Sequence, residues 1–272
     1  MPTPILRVPR TLWLDGETSP GERAIPEETA IAFTFNTASY AVMMATPKDL
    51  EDFAVGFAMT EGVVASPDAI DTIEIVEEET GIELRVWLKA RDAVEFLGRR
   101  RKMAGPTGCG LCGIESLTEA MQPPAKVGAG RAFTPDQIMS AVDSLFPLQT
   151  LNRETHAVHA AGFWQPERGI VAVREDVGRH NALDKLAGAL LREGGSAADG
   201  LVILTSRVSV EMVQKSAMIG APIIVAVSAP TALAVRMAEA AGMTVVAIAR
   251  RDGFEVFTNP ERVGFKVPSS VA

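Results

Sequence analysis

Two cysteines, Cys109 and Cys112, are the only ones in the chain, and they stand three residues apart in Cys109-Gly110-Leu111-Cys112-Gly113. A pair this close cannot join distant parts of a fold. In a reducing compartment such pairs do redox chemistry, carry sulfur or bind metal. The run Ile114–Met121 directly after them reads as a short helix. Amides at a helix N-terminus favour an anion, so a thiol placed there loses its proton more readily. The flanking glycines allow unusual backbone angles and close approach by a large partner. A thiolate so placed suits attack on a persulfide, with the second cysteine resolving the first or sharing the load. Three other chemistries compete. A structural zinc site needs four ligands, which only His156, His159 and His180 could complete, and His156-x-x-His159 is tighter than usual. A thioredoxin-like disulfide motif would follow a buried strand, whereas a basic segment and a Gly-Pro loop precede this one. Two incidental thiols in a loop are the third reading. Cys-x-x-Cys alone does not separate these cases.

A second cluster is Arg174-Glu175-Asp176-Val177-Gly178-Arg179-His180-Asn181, at the end of one apolar run and the start of a helical one. Arg179 suits a phosphate, and His180 suits donation to it or a proton shuttle. Internal salt bridges around an ordinary turn account for the same charges equally well. Asn181 is placed to cap the helix, with Asp184 at its third position. His156 and His159 precede the apolar stretch Ala160–Trp164, either as satisfied, partly buried histidines or with one facing the site. Ser206 and Ser228 sit at the ends of two further strands, in Thr205-Ser206-Arg207-Val208-Ser209 and Ser228-Ala229-Pro230-Thr231, and Arg250 and Arg251 end a third. Helix capping explains each of the hydroxyl-bearing ends singly. Their joint position at the carboxyl edge of a sheet reads as an anion pocket.

The elements that must hold these groups follow from periodicity. Residues 30–44 read as two strands turning near Asn36. A helix follows, with Thr46 as its cap, Pro47 as its first residue and Gly62 as its stop. Ile70–Val76 and Ile82–Leu88 read as strands, Val94–Met103 as a basic helix. Gly169–Arg174, Leu201–Thr205, Ile223–Val227 and Thr244–Ala249 read as strands, and Ala182–Leu191, Ser209–Ile219 and Thr231–Ala241 as helices. Apolar strands alternating with amphipathic helices predict an α/β fold with a largely parallel sheet covered on both faces, preceded by an α+β part. The glycine- and proline-rich stretch 104–135 is the natural boundary, giving an N-terminal domain over 1–122 and a second over 123–272.

The chain of 272 residues carries a net charge of −8 with 47% hydrophobic residues. The apolar content is that of a globular protein, and the charge argues against a nonspecific nucleic-acid binder. Met1–Leu14 carries three prolines and no signal-type apolar core, and the longest apolar stretch, Ile223 to Ala229, interrupted by Ser228 and Pro230, is far too short to span a bilayer. A soluble, cytoplasmic protein with no membrane partner is expected.

Several long segments in order resemble the FdhD family of formate dehydrogenase accessory proteins. They are Thr46–Phe57 with Glu61-Gly62, Thr107–Leu117, His159–Ala161, Arg174–Lys185, Glu211–Lys215 and Val227–Thr231. The likeness runs from about residue 30 to Arg262. It implies a sulfurtransferase that takes sulfur from a cysteine desulfurase and passes it to the bis-molybdopterin guanine dinucleotide molybdenum cofactor (Mo-bis-MGD) for formate dehydrogenase. The persulfide carrier maps to Cys109, with Cys112 assisting. A cofactor-binding stretch maps to Ile248, Ala249, Arg250, Arg251, Asp252 and Gly253, where this chain departs from the glycine pair and arginine often found in the family. The family's larger domain is similar to the cytidine deaminase fold, a three-layer sheet. The deaminase His-x-Glu and Pro-Cys-x-x-Cys are absent from this sequence, so no deaminase zinc is expected. A homodimer is compatible with the likeness. The alternative function is a chaperone that holds the cofactor without transferring sulfur.

Overall fold

The computed structural model describes residues 1–90 and 124–265, a mixed α/β protein. Its contacts divide it into two compact units, one joining Met1–Gln122, Gln149–Ala160 and Arg174–Arg192, the other Pro123–Leu148, Ala161–Val173 and Glu193–Ala272.

The first unit is built on a four-stranded sheet with the order β4-β3-β6-β5. Its strands are β3 (Thr29–Phe35), β4 (Ala38–Ala45), β5 (Ile70–Glu78) and β6 (Gly81–Leu88). Strict alternation along β6 buries Ile82, Leu84, Val86 and Leu88 on one face. Helix α1 (Leu50–Thr60) lies on that face, where Phe33 of β3 stacks on Phe57 at 4.0 Å and meets Phe53 edge-on at 4.9 Å. The expected hairpin at Asn36 forms because Asn36 and Thr37 both adopt the left-handed conformation that a tight hairpin turn needs. An N-terminal hairpin of β1 (Ile5–Leu14) and β2 (Glu17–Pro26), turning at Asp15-Gly16, has no counterpart in the sequence reading.

Helix α1 buries every residue except Glu51, because its second side packs on another helix, α4 (Arg179–Arg192), the fourth helix among the described residues. The two backbones touch through glycines. A Cβ on Gly56 would lie 1.7 Å from the Asp184 carbonyl oxygen, and one on Gly188 would lie 1.8 Å from that of Asp52. Helix α1 starts later than its sequence implies. Its cap is Asp49, not Thr46, and Thr46 is taken by a partner described below.

The second unit holds β9 (Leu201–Leu204), β10 (Ile223–Ala226) and β11 (Thr244–Arg250), parallel and fully buried along β9 and β10. They form the centre of a six-stranded sheet of order β12-β11-β10-β9-β7-β8, with β7 (His159–Gln165), β8 (Gly169–Asp176) and β12 (Gly253–Thr258). Strand β7 runs antiparallel to β9, and β12 antiparallel to β11. Helices α5 (Val210–Met218) and α6 (Ala232–Ala241) are the crossovers that parallel pairing requires. Helix α2 (Pro135–Leu145) opens on a capping box of Thr134 and Gln137 and buries Ile138, Ala141, Val142 and Leu145 against sheet residues such as Ile203 and Val225. The short α3 (Thr150–Thr155) belongs to the first unit.

The glycine contact makes a quantitative expectation. Gly188→Ala gains roughly 1 kcal/mol of helix propensity but forces two backbones apart, an overpacking worth about 3 kcal/mol. Urea denaturation should show a net loss of about 2 kcal/mol for Gly188→Ala and for Gly56→Ala. A change within about 0.5 kcal/mol of zero would contradict the crossing.

Candidate functional site

Strand β8 ends in three charged residues, and each is committed to a different segment of the first unit. Arg174 reaches the Asp52 carboxylate of α1 at 2.6 Å, and Arg192 of α4 holds the other oxygen of that carboxylate at 2.6 Å. Glu175 is buried and accepts from the Leu151 and Asn152 amides at 2.8 Å and from the Thr150 hydroxyl at 3.2 Å. It thereby caps α3 from a distance in sequence, satisfying amides that a helix start leaves open. Asp176 is wholly buried. It accepts from Lys185 Nζ at 2.6 Å, the Thr46 amide at 3.0 Å, the Gly178 amide at 2.7 Å and Asn181 Nδ2 at 2.9 Å. Lys185, equally buried, also donates to the Thr46 carbonyl and sits over the Phe53 ring. Burial pulls its pKa below the ordinary lysine value, and the Asp176 charge opposes that pull.

Internal bonding therefore accounts for three of the charges in the cluster 174–181. Asn181 is also not a helix cap. The helix starts at Arg179, and the Asn181 side chain ties the Met44 carbonyl to Asp176. Arg179 and His180 remain, half-buried on the first turn of α4. Arg179 Nε is buried and finds no hydrogen-bond partner among the described residues. His159 lies within electrostatic reach of Arg179 and Asp176. Burial first, then the Arg179 charge, lowers its pKa below the ordinary imidazole value, with Asp176 opposing. His156 is exposed and ends α3 in a left-handed conformation.

In the second unit the structure brings the three strand ends together. The Val227 amide donates to the Leu204 carbonyl at 3.0 Å, and the Thr231 amide to the Val208 carbonyl at 2.9 Å. The Ile248 amide donates to the Ser228 carbonyl at 3.2 Å. The loops carrying Ser206 and Ser228 and the segment starting at Ile248 are thus neighbours. Thr231 caps α6 by accepting from the Ala234 amide, whereas Ser209, at the cap position of α5, makes no such bond. Its hydroxyl is buried without a partner among the described residues. The Ser206 hydroxyl donates to the Arg207 carbonyl. Ile248 has φ +53°, rare for a β-branched residue, and the β11–β12 register slips between Ala247 and Arg250. Arg250, Arg251 and Asp252 are exposed around the turn that leads to Gly253.

Cys109 and Cys112, the basic segment 94–103 and the predicted helix 114–121 lie outside the described residues. Among the described residues no group of three or more His, Cys, Asp or Glu could hold a metal ion, and no helix is long and apolar enough to cross a membrane. A cavity of about 310 Å³ at the end of the four-stranded sheet is lined by Thr34, Asn36, Glu83, Arg85 and Trp87 and contains none of the predicted site residues. The sequence reading missed Asp52 and Arg192. A charged residue at a position flanked by Phe53 and Phe57 was the available signal, since such a charge must be paired when buried.

The chain is thus a mixed α/β protein with hydroxyl-bearing loops at the ends of its parallel strands and one close cysteine pair in its sequence. It belongs to the FdhD/NarQ family, which matches residues 26–264. It is 51% identical over 258 residues to the sulfur carrier protein FdhD of Agrobacterium fabrum, covering 94% of this chain and 95% of that one. The FdhD of Cupriavidus necator, also named a sulfur carrier protein, is 45% identical over 92% of this chain and 87% of its own. The crystal structure of a protein assigned as a formate dehydrogenase accessory protein from Desulfotalea psychrophila superposes with a TM-score of 0.73. It shares 27% identity, over 95% of this chain and 99% of the other.

The imidazole of His159 gives this site a measurable pH signature. A histidine whose pKa is lower folded than unfolded takes up its proton preferentially in the unfolded chain. His159 therefore adds nothing above pH ~6.5 and removes stability as pH falls below it. The urea midpoint of wild type should drop further between about pH 7.5 and about pH 5.5 than that of His159→Gln. An NMR titration placing His159 at or above the free imidazole value would refute the assignment.

Proposed function

We propose that this chain is a cytoplasmic sulfur carrier that receives persulfide sulfur from a cysteine desulfurase on Cys109 and delivers it to Mo-bis-MGD for formate dehydrogenase. What carries the reading is a single close pair of cysteines in a chain whose relatives are named sulfur carrier proteins. In the loading step the Cys109 thiolate attacks the outer sulfur of the desulfurase persulfide. The donor's S–S bond breaks, its cysteine leaves as a thiolate, and Cys109 becomes the persulfide, with Cys112 available to assist or share the sulfur. A thiolate is needed for this attack, and the helix that the sequence predicts at 114–121 would favour it.

The cargo is an anionic dinucleotide, and the groups offered to it are of the right chemistry. Arg179, His180, Ser206, Ser228 and the stretch Ile248, Ala249, Arg250, Arg251, Asp252 and Gly253 are assigned to its phosphates and guanine. Three features support this assignment. A buried guanidinium nitrogen in Arg179 and a buried hydroxyl in Ser209 are left without partners among the described residues. The left-handed Ile248 is a strained position of the kind that accumulates where ligands bind. The strand-end loops lie at the edge where open α/β sheets take ligands.

Incubation with a cysteine desulfurase and cysteine should add about 32 Da, one sulfur atom, to wild type and nothing to Cys109→Ala, as read by intact-mass spectrometry under non-reducing conditions. If Cys109→Ala still restores formate dehydrogenase activity in cells, the protein is a cofactor-holding chaperone and not a carrier.

A further inference from the structure

Thr46 has no place in the helix it was expected to cap, and each of its three polar groups bonds a residue between 176 and 185. Its amide donates to Asp176 at 3.0 Å, its carbonyl accepts from Lys185 at 2.8 Å, and its hydroxyl accepts from the Val177 amide at 3.1 Å. The residue is wholly buried. Asp176 closes the same loop from within by accepting from the Gly178 amide and Asn181 Nδ2. The Gly178 carbonyl then accepts from the Ala182 amide, which starts α4. Gly178 itself has no room for a side chain, since a Cβ there would lie 2.7 Å from Asn181 Nδ2. Both amides between β8 and α4 are thus committed to side-chain oxygens of buried residues. The next two residues in the chain are Arg179 and His180.

We propose that Thr46 is a positioning residue for the Arg179–His180 turn, its hydroxyl fixing, through the Val177 amide, the backbone from which both side chains meet a phosphate-bearing ligand. The proposal rests on the reading that Arg179 and His180 bind the nucleotide end of the cargo. A hydroxyl suits the task because it leaves the backbone groups of residue 46 free for Asp176 and Lys185 while supplying a second acceptor. A guanidinium holds a phosphate through two directed bonds, so a small drift of its backbone loses both. The buried Lys185–Asp176 pair serves the same end. Buried ion pairs add little net stability, and their best-attested use is to fix one arrangement of the chain.

The test compares Thr46→Val, isosteric but without the acceptor, with Thr46→Ser, which keeps it. Hydrogen exchange reports the turn, and titration calorimetry with GDP, the nucleotide half of the cargo, reports binding by the full-length chain. Thr46→Val should speed exchange at Val177 and Gly178 by roughly tenfold, the size of one lost hydrogen bond. It should weaken GDP binding by a similar factor, roughly tenfold, while β3 amides exchange as in wild type. Thr46→Ser should match wild type in all three within about twofold. Unchanged GDP affinity in Thr46→Val would overturn the proposal, as would an equal loss in Thr46→Ser. If wild type does not bind GDP, the nucleotide reading of Arg179 and His180 fails. The exchange comparison still decides the clamp, which is upheld only if Val177 is deprotected in Thr46→Val and not in Thr46→Ser.

Discussion

A carboxylate with no access to water must be surrounded by donors, and Asp176 meets that requirement with residues drawn from far along the chain. Lys185, Gly178 and Asn181 are local, but the Thr46 amide comes from 130 positions earlier. An unpaired buried charge is destabilising by several kcal/mol, so the exit of β4 cannot lie elsewhere once Asp176 is buried. The two residues before it work the same way. Glu175 takes the open amides of α3, and Arg174 takes Asp52 of α1. Three consecutive side chains at one strand end thereby fix the β4–α1 corner, α1 itself and α3. The discontinuity of the first unit follows from them, since 149–160 and 174–192 are the segments these bonds and the α1–α4 packing draw in.

The helix crossing adds a steric constraint to the polar one. Glycines at 56 and 188 let two backbones meet with no side chain between them, which is why α1 can be buried on both sides. Close approach also shortens the reach required of side chains on neighbouring turns. Thr60 of α1 donates to Asp184 of α4 at 2.6 Å, and Arg192 reaches Asp52 at 2.6 Å. Glycine placement and charge placement on these helices are therefore one arrangement. Either alone would leave a void or a lone charge.

Much of the architecture was legible because periodicity is local. The alternation in β6, the apolar runs of β9, β10 and β11 and the helices between them all lie close to their expected bounds. The errors share a cause. Thr46 and Asn181 have the side chains of helix caps and stand where caps should stand, yet both are recruited by groups more than 100 residues away. Cap propensity is a local preference of about 1 kcal/mol, and a buried carboxylate that needs donors outweighs it. The β1–β2 hairpin escaped for the opposite reason. Leu12, Trp13 and Leu14 are exposed, so its strands bury no apolar face and leave no period to read, although Asp15-Gly16 was a turn signal in plain view. At the candidate site, the joint position of the strand ends was readable from the alternation of elements. The left-handed Ile248 was not, because nothing in a β-branched residue's type announces that conformation.

Satisfied and unsatisfied polar groups stand side by side in the cluster 174–181. There the sequence singled out Arg179 and His180 for a ligand, with internal salt bridges as an equal reading of the two arginines, two carboxylates and histidine. Burial and bonding separate them further: Arg174, Glu175 and Asp176 are each held by partners within the first unit, while Arg179 Nε has none among the described residues. The same sorting acts on the hydroxyls of the second unit, where Thr231 caps its helix and Ser209 does not cap its own. Folding leaves few buried polar atoms unpaired, because each such atom is destabilising by about 1–3 kcal/mol. Within the second unit Ser209 carries such an atom, next to the Val208–Thr231 contact that joins two strand-end loops, and stability gives no reason for it.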